Sequence, residues 1–295
     1  MIVSLTAQLP AVTTLLAPAS AFSIEQLTEA YNQTRVDYLV PMPMNAARLA
    51  EYVHLYDVDL DRSVVALEDD QILGLGMLGV RPGRVWVTRL GVLPSTRRRG
   101  IGESLTRALL AQANQLRRDL TTLEVIQNND PAYALFCKLG FREMRELLVL
   151  LRPPGPLDDV PSGETHWLDH ADALALLDAR AERLAWTNQT ESFSNARQVA
   201  AVSITLPDGG CGWLVYQSQR FVIQRLAFKT ERGDPCAVGR ALLAHLYRRY
   251  PYYDTHAENV PVDDPHLPTL LEAGFVESFR RIEMHRRQAS PNGRA

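Results

Sequence analysis

Cysteine is scarce. The three in 295 residues, Cys137, Cys211 and Cys236, stand far apart with no C-x-x-C pair. That spacing argues against a disulfide framework and a thiolate metal site, and it fits a reducing cytoplasm. No stretch reaches the roughly 18 unbroken apolar residues that a membrane-crossing helix needs, so no membrane is expected. An excess of one charge is missing too: the formal net charge is −3, with Arg interspersed among Asp and Glu. Nucleic acid is not an expected partner, because phosphate backbones are met by clustered basic residues. The seven histidines are scattered, and His166 and His170 have no third convergent ligand nearby, so no metal is expected. The opening MIVSLTAQLPAVTTLLAPASA is apolar but lacks an early Lys or Arg and is broken by Pro10, so it reads as a first strand and loop rather than a signal peptide.

What is present is the composition of a soluble globular protein, 46% hydrophobic and 22% charged, at a length that suits two domains. Residues 152–163, RPPGPLDDVPSG, are rich in proline and glycine without hydrophobic periodicity, and read as a linker. The stretches on either side lie over one another. GMLGVRPGRVWVTRLGV matches GWLVYQSQRFVIQRLAF at a constant offset: Gly76 meets Gly212, Arg84 meets Arg220, Arg89 meets Arg225 and Leu90 meets Leu226. The match ends as FCKLGF against LLEAGF. Similar elements in the same order imply two copies of one fold. The expected division is a first domain over 1–152, a linker over 153–163 and a second domain over 164–295.

Within the first copy, Ser23 is placed to cap a helix through FSIEQLTEAYNQTRVDYLV, with Leu27, Tyr31 and Val36 inward. Proline in PMPM stops it. NAARLAEYVHLY is a second helix, and SVVALEDD, ILGLGMLGV and RVWVTRLGVL are strands. In ESLTRALLAQANQL, Leu105, Leu109, Ala113 and Leu116 form the inner stripe of a helix. TTLEVIQ is a strand, PAYALFCKLG a short helix and FREMRELLVLL a last strand, with Cys137 expected in the core. The fold class is α/β, a mixed sheet flanked by helices in each copy.

The loop R-R-R-G-I-G between a strand and a helix gathers backbone N–H groups at the positive end of a helix dipole, which suits a phosphate. Gly100 and Gly102 let the backbone approach it. The loop lacks the Lys-Ser/Thr of a nucleotide-binding P-loop and does not lie early in a βαβ unit, so by itself it does not name the phosphate's owner.

VLPSTRRRGIGESL, followed by LEV and then by N-x-x-A-x-x-L-F-x-K-L-G-F, closely resembles the GCN5-related N-acetyltransferase (GNAT) family over about residues 62–150. The resemblance implies an acetyl-coenzyme A site. Arg97, Arg98, Arg99, Gly100, Ile101, Gly102, Glu103 and Ser104 would hold the pyrophosphate, most of it by backbone amides. Leu90, Gly91 and Val92 would pair with the pantetheine arm, with the Val92 N–H facing the thioester oxygen. Asn129, Ala132, Tyr133 and Phe136 would flank the arm. Glu124 of LEV matches a glutamate that serves as general base in family members acetylating protein N-termini. Many members protonate the leaving thiolate with a tyrosine where this chain has Phe136, and a phenyl ring donates no proton. Tyr133, three residues earlier, is the nearest substitute. The connection 37–45, DYLVPMPMN, falls where the family roofs its acceptor site, which makes Tyr38, Met42 and Met44 candidate substrate contacts.

In the second copy the loop reads ERGDPCAVG, where Asp234 brings a negative charge and Pro235 removes an N–H. This copy is expected to keep the fold and to bind acetyl-coenzyme A weakly or not at all. The expected activity is acetyl transfer to a primary amine of a small molecule or peptide. The alternatives are a non-catalytic acyl-coenzyme A sensor and a transferase of a longer acyl group. The oligomeric state stays open, a homodimer included.

Overall fold

The structure, a computed structural model, describes residues 14–157, 159–180 and 184–287. The first part of the opening apolar segment lies outside the described residues. By its contacts the chain forms two units: residues up to Ala50 with Val58–Arg118, and Glu51–Asp57 with Asp119 onward.

The first unit holds β1 (Leu15–Pro18), α1 (Ile24–Gln33), the start of α2 (Ala46–Leu55), β2 (Val64–Glu68), β3 (Gln71–Arg81), β4 (Arg84–Val92) and α3 (Ile101–Gln115). Its strands run in the order β1-β2-β3-β4, each antiparallel to the next. Ser23 and Gln26 close a reciprocal capping box at the start of α1, so two orphan N–H groups are satisfied at once. Leu27 and Tyr31 are fully buried as their spacing requires, but Val36 is 71% exposed. The helix ends three residues before it, where the Thr34 hydroxyl donates back to the Tyr31 carbonyl at 2.8 Å, and the inward stripe ends there too. Leu105, Leu109 and Ala113 are the buried stripe of α3.

The second unit holds β5 (Leu120–Ile126), α4 (Asp130–Lys138), β6 (Arg142–Arg152), β7 (Glu164–Leu168), α5 (His170–Asp178), α6 (Thr190–Ser194) and β8 (Val199–Thr205). β9 (Cys211–Gln219), β10 (Val222–Arg232), α7 (Pro235–Arg249), β11 (Asp254–Pro261), α8 (Leu267–Glu272) and β12 (Val276–Arg287) follow. The strand order is β5-β12-β6-β11-β10-β9-β8-β7. β5 and β6, joined through α4, both lie antiparallel to β12, the last strand of the chain, which fills the place between them. β11 and β12, joined through α8, enclose β6 in the same manner. Each crossover thus embraces a strand from the other half of the sequence. The residues 153–163 fall inside this unit, on the connection from β6 to β7.

Alternation along β9 divides the core between the sheet's two faces. Leu214 and Tyr216 pack with Leu242, Leu246 and Tyr247 of α7, whereas Trp213 and Val215 pack with Leu177 of α5 and Phe193 of α6. Cys137, expected inside, is exposed.

The duplication is visible in a shared defect. Between Thr88 and Gly91, β4 carries one residue more than β3, and β10 does the same against β9 between Gln224 and Ala227. Arg89 and Arg225, paired by the sequence match, are both left-handed at the bulge, with φ of 50° and 56°. The fold is a mixed, mostly antiparallel α/β fold with the same strand–helix motif used twice.

Candidate functional site

In the first unit, the bulge turns the end of β4 into a polar edge. The Leu93 N–H bonds to the Leu73 carbonyl at 2.8 Å, which places Val92, opposite Gly74, in the alternate pair that exchanges no bonds. The Val92 N–H and carbonyl therefore point away from β3, and the carbonyl accepts from Arg97 Nε at 3.2 Å. At the bulge the Leu90 carbonyl accepts from Arg35 Nη2 at 3.2 Å. Gly91 is required by close approach: a Cβ there would fall 2.3 Å from Thr34 Oγ1.

The loop before α3 splits into two functions. Gly100 is the N-cap residue, left-handed at φ 82°, with no side-chain cap, and a Cβ at that point would meet nothing within 4 Å. By helix geometry the N–H groups of the first turn, those of Ile101 and Gly102 among them, lack intrahelical acceptors. The arginines before it hold the chain itself. Arg97 grips Asp37 with both terminal nitrogens at 2.7 Å and also donates to the Thr34 carbonyl at 3.2 Å. The hydrogen bonds and charge of Arg97 hold the Asp37 carboxyl below its ordinary range. Arg99 pairs with Glu68. Arg98 is exposed.

The connection 37–45 is pinned by its backbone. Tyr31 donates to the Met42 carbonyl at 3.0 Å, and Asn32 brackets Met44, donating to its carbonyl at 2.8 Å and accepting from its N–H at 3.0 Å. Arg35 stacks between Tyr31 and Tyr38, its Cζ 4.7 and 4.5 Å from the ring centres. The structure thus brings Tyr38, Met42 and Met44 onto one connection held by α1. Arg35 and Asp37, which hold it there, were not singled out from the sequence, since neither belongs to a local motif.

In the second unit, Glu124 lies on β5 opposite Glu283 of β12. Asn129 precedes α4 with φ −90° and ψ 66°, and its carbonyl accepts from the Tyr133 N–H at 2.9 Å. Ala132 is half-buried. Phe136 is 6% exposed and packs edge-on against Phe141 at 5.9 Å, as a core residue does. The Tyr133 hydroxyl is engaged by Glu143, then by Cys137, which push its pKa up to about 12. It is a weak proton donor.

The second copy's counterpart differs in detail. Asp234 caps α7, its Oδ2 accepting from the Ala237 N–H at 2.9 Å, and Pro235 follows. β10 and β11 pair over Val222–Gln224 and Asp254–His256, beyond which Leu226 and Val260 line a small cleft. Asn188 reaches the β11 carbonyls there, donating to Glu258 at 2.9 Å and Asn259 at 3.1 Å. Among the described residues no cluster of His, Cys, Asp or Glu is placed to hold a metal, and no helix is long and apolar enough to cross a membrane.

Residues 24–141 match the model of the acetyltransferase (GNAT) family. No curated protein matches the sequence. Among solved structures, a GCN5-related N-acetyltransferase from Sphaerobacter thermophilus is similar with a TM-score of 0.68 at 15% identity, over 94% of this chain and 97% of that one. A tandem GNAT protein from the clavulanic acid biosynthesis pathway gives 0.64 at 14% identity, over 96% and 100%. A putative acetyltransferase from Pyrococcus horikoshii gives 0.63 at 14%, over 98% and 93%. These likenesses show the fold over nearly the whole chain, both sequence halves included.

Proposed function

Because residues 24–141 match the model of the acetyltransferase (GNAT) family, we propose that this chain moves an acetyl group from acetyl-coenzyme A to a primary amine of a small molecule or peptide. The observation that carries this reading is the uncapped start of α3. Left-handed Gly100 offers no side chain of its own to the first-turn N–H groups, and the positive helix end adds its dipole, so the site suits a pyrophosphate. Ile101, Gly102 and their neighbours to Ser104 would hold it. When bound, acetyl-coenzyme A supplies a thioester whose acyl carbon is open to an amine.

The rest of the chemistry falls to the chain's residues. The Val92 N–H points off β4 and serves as the oxyanion donor, a contact worth about 2.7–4 kcal/mol in such sites. An alkyl amine is protonated at neutral pH, with an ordinary pKa of about 10.4, so its proton must be accepted before attack. Glu124 is that acceptor in this reading. The departing thiolate, from a thiol of ordinary pKa about 8.5, leaves without an obligatory acid.

The test is thiol release from acetyl-coenzyme A with a panel of amines, for the wild type and E124Q. A reactive amine should appear, and E124Q should lose roughly 10²–10⁴-fold in kcat/KM at unchanged cofactor affinity. Tight cofactor binding without release for any amine would favour the sensing alternative. Wild-type turnover in E124Q would remove Glu124 from the mechanism.

A further inference from the structure

Arg97 opens the R-R-R-G-I-G loop, and all three of its side-chain nitrogens are engaged by the chain. Nε donates to the Val92 carbonyl at 3.2 Å, Nη2 to the Thr34 carbonyl at 3.2 Å, and Nη1 and Nη2 each to one Asp37 oxygen at 2.7 Å. An ion pair whose side chains are 41% and 50% exposed contributes little by itself. The two carbonyls give this one a task. Thr34 is the C-cap of α1, where carbonyls lack intrahelical donors and the helix dipole favours a cation, and Val92 lies beyond the bulge of β4.

Around that contact, three successive residues of β4 meet the end of α1 and the residues just after it. The Leu90 carbonyl accepts from Arg35 Nη2 at 3.2 Å, Gly91 lies so close to Thr34 that a Cβ would fall 2.3 Å from Oγ1, and Val92 is held by Arg97. The Val92 N–H belongs to the Gly91–Val92 peptide. The peptides before and after it are held through their carbonyls, by Arg35 and by Arg97, so the direction of that N–H is set from both sides. Arg35 also stacks against Tyr38 at 4.5 Å, and Asp37 is the residue before it. Arg97 thus touches the end of β4, the end of α1 and the first residue of the connection 37–45.

We propose that Arg97 is a positioning residue: it fixes the connection 37–45 against the end of β4, so that the amine and the Val92 N–H share one geometry, and it does not ligate the pyrophosphate. This rests on the reading of the chain as an acetyltransferase with Val92 as oxyanion donor and the amine beside 37–45. A guanidinium gripped by both oxygens of a carboxylate has its charge matched, and turning it to a phosphate would require releasing Asp37. The uncapped start of α3 offers backbone N–H groups for the phosphate instead.

The full-length protein tests this with two measurements: the acetyl-coenzyme A Kd by calorimetry, and kcat and KM for an amine that supports turnover. R97K separates the two roles, because lysine keeps a cation able to meet a phosphate but cannot hold a carboxylate and two carbonyls in a fixed fork. R97K and D37N should each lower kcat/KM for the amine by about 10- to 100-fold, the scale of a misplaced reactant, while the acetyl-coenzyme A Kd stays within about 3-fold in R97K, R97M and D37N. The double variant R97K/D37N should be little worse than R97K alone, since both changes remove one shared contact. D37E, which keeps the carboxylate, should recover most of the turnover lost in D37N. Asp37 is half-exposed, so D37N and D37E keep the test open if the Arg97 variants fold poorly. A Kd raised 10-fold or more in R97M, with D37N at wild-type turnover, would return Arg97 to the pyrophosphate and overturn the inference. Wild-type turnover in both R97K and D37N would overturn it too, while leaving acetyl transfer standing. Absence of thiol release by the wild type with every amine would overturn both.

Discussion

The starts of α3 and α7 follow the same bulged strand, yet they meet the same physical demand in opposite ways. The first turn of any helix presents N–H groups with no intrahelical acceptor. At α7 the chain supplies its own anion, Asp234, and a proline with no N–H to satisfy. At α3 it supplies Gly100, left-handed and without a side-chain cap. Beyond the pairing of β10 with β11, Asn188 donates to the backbone carbonyls of Glu258 and Asn259. The shared bulge at Arg89 and Arg225 shows that the duplicated chain keeps what sets the shape of the strand. The first copy leaves its helix start without a side-chain cap, and the second closes it with a contact of the chain with itself.

Transplanting the α7 solution should break the difference most severely. In G100D/I101P, the acetyl-coenzyme A Kd measured by calorimetry should rise at least about 100-fold, since charge-assisted hydrogen bonds of roughly 1.5–3 kcal/mol each are lost to an internal carboxylate. Asp at the left-handed Gly100 position is itself strained, so a thermal melt must accompany the titration. An unchanged Kd in a folded variant would put the pyrophosphate somewhere other than α3.

Features governed by local physics were legible in the sequence. Ser23 announced its capping box, and the stripe of Leu105, Leu109 and Ala113 announced the buried face of α3. The glycines of the R-R-R-G-I-G loop announced a backbone exposed at a helix start. What stayed hidden was partnership at long range. TTLEVIQ and FREMRELLVLL read as strands, but nothing in their period tells that β12 inserts between them, because period 2 fixes a face and not a neighbour. Glu124 was therefore legible from its motif and Glu283 was not. Arg97 stood beside a phosphate-like loop and read as its anchor, while Asp37, which holds its guanidinium, lies in another connection altogether.

A second, smaller contrast lies at the end of the bulged strand, where the first copy has Gly91 and the second has Ala227 at the matching position. A Cβ at Gly91 would lie 2.3 Å from Thr34 Oγ1 and 2.8 Å from Thr34 Cβ, and Thr34 is 2% exposed. Backbone must shift to admit it, so G91A should lose about 1–3 kcal/mol of stability by denaturant titration. The reverse change in the second copy, A227G, removes a methyl and adds chain freedom at a cost of about 0.5–1 kcal/mol. Equal losses in the two variants would mean that the glycine is not reserved by Thr34.

The smallest effect is expected at Tyr133, whose place in the second copy, at the start of α8, is held by Leu267. The hydroxyl looked from the sequence like a substitute acid for Phe136. In the structure Phe136 is a core residue, and the Tyr133 hydroxyl is bound to Glu143 and Cys137 with its pKa pushed up to about 12. A phenol raised in this way stays protonated across the neutral range and gives its proton up reluctantly, while the thiolate to be expelled, from a thiol of ordinary pKa about 8.5, needs little help. Y133F should therefore keep kcat within about 3-fold of the wild type and leave the basic limb of the pH profile in place. A fall approaching the 10²-fold or more typical of a removed general acid would restore Tyr133 to the mechanism. It would also make the contrast with Leu267 one of chemistry as well as of packing.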